Sequence, residues 1–295
     1  MKRLALTMIA ALALGGCATA QAQAPGCPPA GYDRARLDAL KAAEWRIDDE
    51  TAREAFALAL PACLASPDPA LRDGVAFEAL SHLLRDSQLG IGAQTALVHA
   101  VLPRLESADP RGFEQPFAAL VLSELVRAER LNPHFTDDMR ADVLERSLRY
   151  FTRINDYRGF DEREGWRHGV AHGADLMLQL SVSQSTTRAD LLRIRDAIGG
   201  QVAPEGHFYI YGESERLARP ILFMAQRGLI TEAEWTRWLA RFPGRENAFA
   251  SQAGLAWRHN TNAFLQTVWL NAKLSQSTED DVLLAGAEAA LRAMP

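Results

Sequence analysis

Apolar residues recur every three or four positions along nearly the whole chain, as at Met139, Val143, Leu144, Leu148 and Phe151, and that period predicts amphipathic helices. Helix starts are marked chemically. Asp68-Pro69 sets proline at a first helical position, and Thr231-Glu232-Ala233-Glu234 reads as a capping box. Ser277 or Thr278 can cap the last helix through Asp280 or Asp281. Breaks fall at Pro110, Pro133, Gly199-Gly200, Pro204 and Pro243-Gly244. About ten to thirteen helices with short connections follow. The exception is His207 to Tyr211, which alternates like a strand but has no obvious partner. The expected fold is all-α: a superhelical stack of antiparallel helix pairs of the armadillo or HEAT kind, with a closed α/α toroid as the alternative. No internal repeat stands out.

The ends modify this picture. Lys2 and Arg3 precede an apolar run from Leu4 to Leu14, too short to span a bilayer, so residues 1–16 read as a targeting signal. Leu14-Gly15-Gly16-Cys17 resembles a bacterial lipobox, which would make Cys17 a lipidated N-terminus and a membrane anchor. Cleavage after Ala20 or Ala22 is the alternative, giving a soluble periplasmic or secreted chain. Residues 17–30 form a tether, and residues 31–295 are expected as a single helical domain. If Cys17 carries lipid, Cys27 and Cys63 remain as an even pair in an oxidising compartment, and a Cys27–Cys63 disulfide is expected. The formal charge of −5 and the lack of any Lys/Arg cluster argue against nucleic-acid binding.

Candidate chemistry concentrates between Asp156 and Asp175, D-Y-R-G-F-D-E-R-E-G-W-R-H-G-V-A-H-G-A-D. With a helix taken from Gly165 to Leu180, His168, His172, Asp175 and Gln179 share an arc of roughly 60°, and Glu164 lies one turn behind them. From His168 to Leu180 there is no Lys, Arg or Glu, so the helix should be largely buried. Three readings compete. Asp175 could hold a histidine tautomer in a structural network. His168 and His172 could bind a divalent, zinc-like metal, with Asp175 orienting His172 rather than ligating. The same groups could serve acid–base chemistry or bind a ligand without metal. Trp166 fits a core anchor better than a stacking platform. A second cluster, Glu213, Glu215 and Arg216, either starts a helix or faces the histidines across a groove, with Arg216 as ion-pair partner. A third, weaker patch is His259-Asn260-Thr261-Asn262.

Arg158-Gly159-Phe160, Gly165-Trp166, His168, His172, Asp175 and Glu215-Arg216-Leu217 together resemble the pattern of the bacterial domain-of-unknown-function family 2785 (DUF2785), over roughly residues 150–230. The resemblance implies a helical fold holding both polar clusters, and implies no activity. The functional expectation is an exported, lipid-anchored module of the periplasm or outer membrane. It would bind a small-molecule, glycan or protein ligand in a His/Asp/Glu-lined groove. The alternative is a metal-assisted or acid–base hydrolase acting on an envelope glycan or peptide, using His168, His172, Asp175, Glu213, Glu215 and Arg216.

Overall fold

The computed structural model describes residues 26–295; the expected targeting signal, Cys17 and most of the expected tether lie outside the described residues. Among the described residues the chain is all-α apart from one two-residue-per-strand hairpin. Its helices are α1 (Arg34–Ala42), α2 (Glu50–Ala59), α3 (Pro69–Leu71), α4 (Glu78–Arg85), α5 (Ile91–Val101), α6 (Glu114–Leu131) and α7 (Asp137–Arg153). The hairpin strands β1 (Phe160–Asp161) and β2 (Gly165–Trp166) follow. Then come α8 (Gly169–Val182), α9 (Arg188–Gln201), α10 (Glu213–Ala225), α11 (Glu232–Leu239), α12 (Gln252–Leu274) and α13 (Leu284–Arg292).

Side-chain caps fix many of the helix starts. Asp33, Asp49, Thr136, Thr187 and Ser251 each accept from a backbone N–H of the first turn, and Thr231 with Glu234 forms the capping box. Ser277 does not cap: residues Thr278–Leu283 form a 3₁₀ segment before α13, and the Ser277 hydroxyl donates to Glu279.

The even-numbered helices build one row, with α4 against α6, α6 against α8, α8 against α10 and α10 against α12. The odd-numbered ones back it, α7 on α8 and α9, α11 on α13. Among the described residues the main packing partners are near neighbours in the chain, the arrangement of an open stack of helix pairs. Because α6 and α8 sit mid-row, their burial extends around most of the circumference, including Glu124 and Glu129 on α6 and His172 and Ser181 on α8. Gly173 permits close approach of α7 to α8, since a Cβ there would lie 2.6 Å from the Phe151 ring. Cys27 and Cys63 are disulfide-bonded, Cα–Cα 5.0 Å, tying the segment before α1 to the buried 3₁₀ turn Leu60–Ala65. Among the described residues no helix is long and apolar enough to cross a membrane.

Candidate functional site

The helix that carries the site begins about one turn later than its sequence period predicts. Gly165 and Trp166 belong to β2, and α8 starts only at Gly169. Asp161 Oδ1 accepts from the Arg163 and Glu164 amides at 2.8 and 2.9 Å, closing the hairpin turn. Gly165 (φ +73°) and His168 (φ +56°) both adopt left-handed backbone, which no helix through 165–168 could accommodate. Glu164 therefore leaves the expected stripe, and its carboxylate accepts from Arg167 at 2.7 Å.

The hairpin is held against the start of the α3–α4 run. There Arg72–Phe77 forms a π-helical segment in which Arg72 is fully buried. Its guanidinium donates to the carbonyls of Ser66 (2.8 Å) and Glu164 (2.7 Å) and meets Asp73 Oδ1 at 2.7 Å. It also lies over the Phe113 ring, as does Arg167. Burial pushes the Asp73 carboxyl up to about 6, against the pull of Arg72.

His168, at the head of α8, stacks on Trp166 with centroids 4.6 Å apart. Trp166 is thus a stacking partner of the site. The edge of Tyr211 closes on the same indole, an approach that Gly159 allows, because a Cβ there would stand 2.0 Å from the Tyr211 ring. His168 Nε2 lies 3.7 Å from Glu213 Oε1 and has no hydrogen-bond partner. Burial, assisted by the Arg216 charge, pushes the His168 imidazole down to about 4, so it is neutral near pH 7 and the contact is not an ion pair. His172, one turn on, packs edge-on to Phe117 at 5.0 Å. Burial holds its pKa well below the usual histidine range, with His168 and Arg216 acting the same way. The two imidazoles are 5.7 Å apart, and among the described residues no group of three or more His, Cys, Asp or Glu side chains could hold a metal ion.

Asp175 does not orient His172. Its carboxylate pairs with the Arg216 guanidinium of α10. Burial pushes the Asp175 carboxyl up and Arg216 pulls it back down. Arg216 thus partners an aspartate of α8 rather than a glutamate of its own helix. Of the α10 acids, only Glu213 reaches a histidine. Glu215 is exposed and lines a different groove, between α10 and α12. Asn260 of the third patch is structural: its Oδ1 accepts from the Tyr209 amide and its Nδ2 donates to the His207 carbonyl, both at 2.8 Å. That clamp explains why the alternating segment His207–Tyr211 needs no strand partner.

Together these elements leave a cleft of about 400 Å³. Asp73 and Phe77 of the π segment and Arg85 of α4 form one wall; α6 adds Phe117 and Glu124. Opposite stand His172, Asp175 and Gln179 of α8 and Arg216 and Arg219 of α10, with Trp166 at one end. Arg85 of α4 and Glu124 of α6 pair at the cleft, Nε to Oε2 at 2.9 Å. Neither residue, nor Asp73, stands out locally in the sequence, and Arg85 and Glu124 are 39 positions apart. Three residues of this lining hold a buried side-chain atom without a hydrogen-bond partner: Asp73 Oδ1, which still lies 2.7 Å from Arg72 Nε, His172 Nδ1 and Gln179 Oε1.

No curated protein and no solved structure matches the chain. A family model described as "Protein of unknown function (DUF2785)" matches residues 80–270, a stretch containing α6, the hairpin, α8 and α10, and the chain belongs to that family.

Proposed function

We propose that the protein is an exported, lipid-anchored module of the cell envelope that binds a polar ligand in the cleft between α4, α6, α8 and α10. The observation that carries this reading is that His172 and Gln179 both line that cleft and that each holds a buried side-chain atom, Nδ1 and Oε1 respectively, without a hydrogen-bond partner. A buried polar atom without a partner costs about 1–3 kcal/mol, a cost that a ligand hydrogen bond would offset. Neutral His172 offers a lone pair or an N–H according to tautomer, while Gln179 Oε1 accepts a donor. The paired charges Asp175–Arg216 and Arg85–Glu124 leave the site nearly balanced, which suits a neutral or zwitterionic ligand rather than a polyanion. Export is supported by the Lys2-Arg3 start, the Leu4–Leu14 run, Cys17 and the Cys27–Cys63 bond.

Native mass spectrometry of the full chain released from envelope membranes in mild detergent tests both parts. The reading predicts an acyl-glyceryl mass on Cys17, and a noncovalent adduct that is lost in Gln179→Leu. An unacylated N-terminus upstream or downstream of Cys17 contradicts the anchor, and an adduct unchanged in Gln179→Leu contradicts the cleft.

Acid–base hydrolysis of an envelope glycan or peptide is the second reading. Its support is the neutral His168 imidazole 3.7 Å from the Glu213 carboxylate, an acid–base couple a slight closure would join.

A further inference from the structure

The cleft is not isolated along the row. Arg219 lines it and also lines a groove of about 1100 Å³ between α10 and α12. At its other end, Asp73, Phe77 and Arg85 belong as well to a depression along α4 that reaches His82 and Asp86. The concavities are therefore consecutive stations on one face of the even-numbered helices. Their chemistry differs. The α8–α10 station is polar, with the unpartnered Gln179 Oε1. The α10–α12 station presents aliphatic surface from Ile210, Leu222 and Leu270, with Ile210 69% and Leu270 49% exposed.

Resting on the reading of the cleft as a ligand site, we propose that its ligand is an extended cationic peptide segment that crosses α10, with a polar stretch in the cleft and an aliphatic side chain in the α10–α12 groove. Three observations choose a peptide. Exposed aliphatic side chains beside a polar cleft match a chain of alternating amide and apolar groups, whereas a sugar polymer carries no aliphatic side chain for them. The side-chain amides of Gln179 in the cleft and Gln266 and Asn271 in the groove each offer a donor and an acceptor, the pair that a peptide group complements. The charges favour a cationic one. Arg85 and Arg216 are already paired with Glu124 and Asp175; against Arg219, which lines both stations, stand the exposed Glu215 and the buried Glu213 in the α10–α12 groove and Asp86 at the far end.

The lengths agree. Two steps between packed helices span about 20 Å at roughly 8–10 Å each. An extended peptide covers that in about six residues at ~3.3 Å each. Arg219, shared by both stations, sits where the peptide would pass over α10 and can donate to its carbonyls.

The test is selection of random dodecapeptides displayed on phage against the full chain in detergent, followed by calorimetric titration of the enriched peptide as a synthetic product. Two variants separate the stations: Gln179→Leu in the cleft and Leu270→Ser in the groove, the latter on a half-exposed side chain. Thermal melts check that both remain folded. The proposal expects enriched sequences with Lys or Arg beside an aliphatic residue, and Kd weakened at least tenfold by each variant. Weakening by Gln179→Leu alone overturns the extended ligand and leaves the cleft reading standing. Weakening by Leu270→Ser alone, or by neither, overturns both. No enrichment overturns the peptide, as does displacement of an enriched peptide by a linear N-acetylglucosamine tetramer at both stations.

Discussion

Two buried polar clusters lie on the central helices of this stack, and they are finished to different degrees. At the end of α6, the Glu129 carboxylate is saturated. Oε2 accepts from the backbone amides of His134 (2.6 Å) and Phe135 (2.9 Å), and Oε1 accepts from Arg140 Nη2 (2.7 Å) and Nε (3.0 Å). These bonds hold the α6–α7 turn, and Glu129 also lines a separate cavity of about 310 Å³. Around α8, by contrast, the neutral His172 and Gln179 also line a cavity but each keeps a buried side-chain atom, Nδ1 and Oε1, without a hydrogen-bond partner. A saturated network stabilises the fold by itself. An open one lowers the stability of the empty protein and stabilises whatever completes it. Burial alone, nearly equal for Glu129 and His172, does not distinguish the two.

The contrast can be broken first at Glu129. Glu129→Ala strips partners from two backbone amides and a guanidinium at once, and should cost about 3–5 kcal/mol, the range for breaking a buried ion pair. Urea denaturation reads it directly; a loss under about 1 kcal/mol would put Glu129 on the same footing as the cleft residues.

A smaller effect is expected from pH. The His168 pKa, about 4 when folded, lies below its ordinary 6.5, so protons bind preferentially to the unfolded chain. The stability it contributes is complete above pH 6.5 and lost as pH falls toward 4; His172 acts in the same direction. Asp73, raised to about 6, opposes both, favouring the folded state as it protonates below that pH. The His168 part alone is about 2 kcal/mol at pH 5 relative to pH 7. His168→Asn, which keeps a residue tolerant of left-handed backbone, should shrink the difference in unfolding free energy between the two pH values by that amount. An unchanged difference would mean that His168 is not held neutral.

The helices were legible because their apolar period and caps are local. The site was legible only in part. Gly165 adopts a left-handed backbone that interrupts a helix, yet the 3.6-residue period runs through it and places His168 and Glu164 on a helix that begins only at Gly169. The membership of the cluster (His168, His172, Asp175, Glu213, Arg216) could be read from unusual polarity on an apolar helix. The pairings could not. Asp175 with Arg216, Arg85 with Glu124, and Arg72 with the Glu164 carbonyl 92 positions away depend on how helices stack, which no local pattern encodes.

The central claim, that the α8 cluster is left open for a ligand, is tested most directly at Gln179. Urea unfolding of the ligand-free Gln179→Leu variant should give a free energy within about 1 kcal/mol of the parent, or above it, since an apolar side chain of similar size replaces an unsatisfied amide. The ligand-dependent rise in stability expected of the parent should vanish in the variant. A loss above about 2 kcal/mol with ligand stabilisation intact would contradict the claim and make Gln179 a structural residue like Glu129.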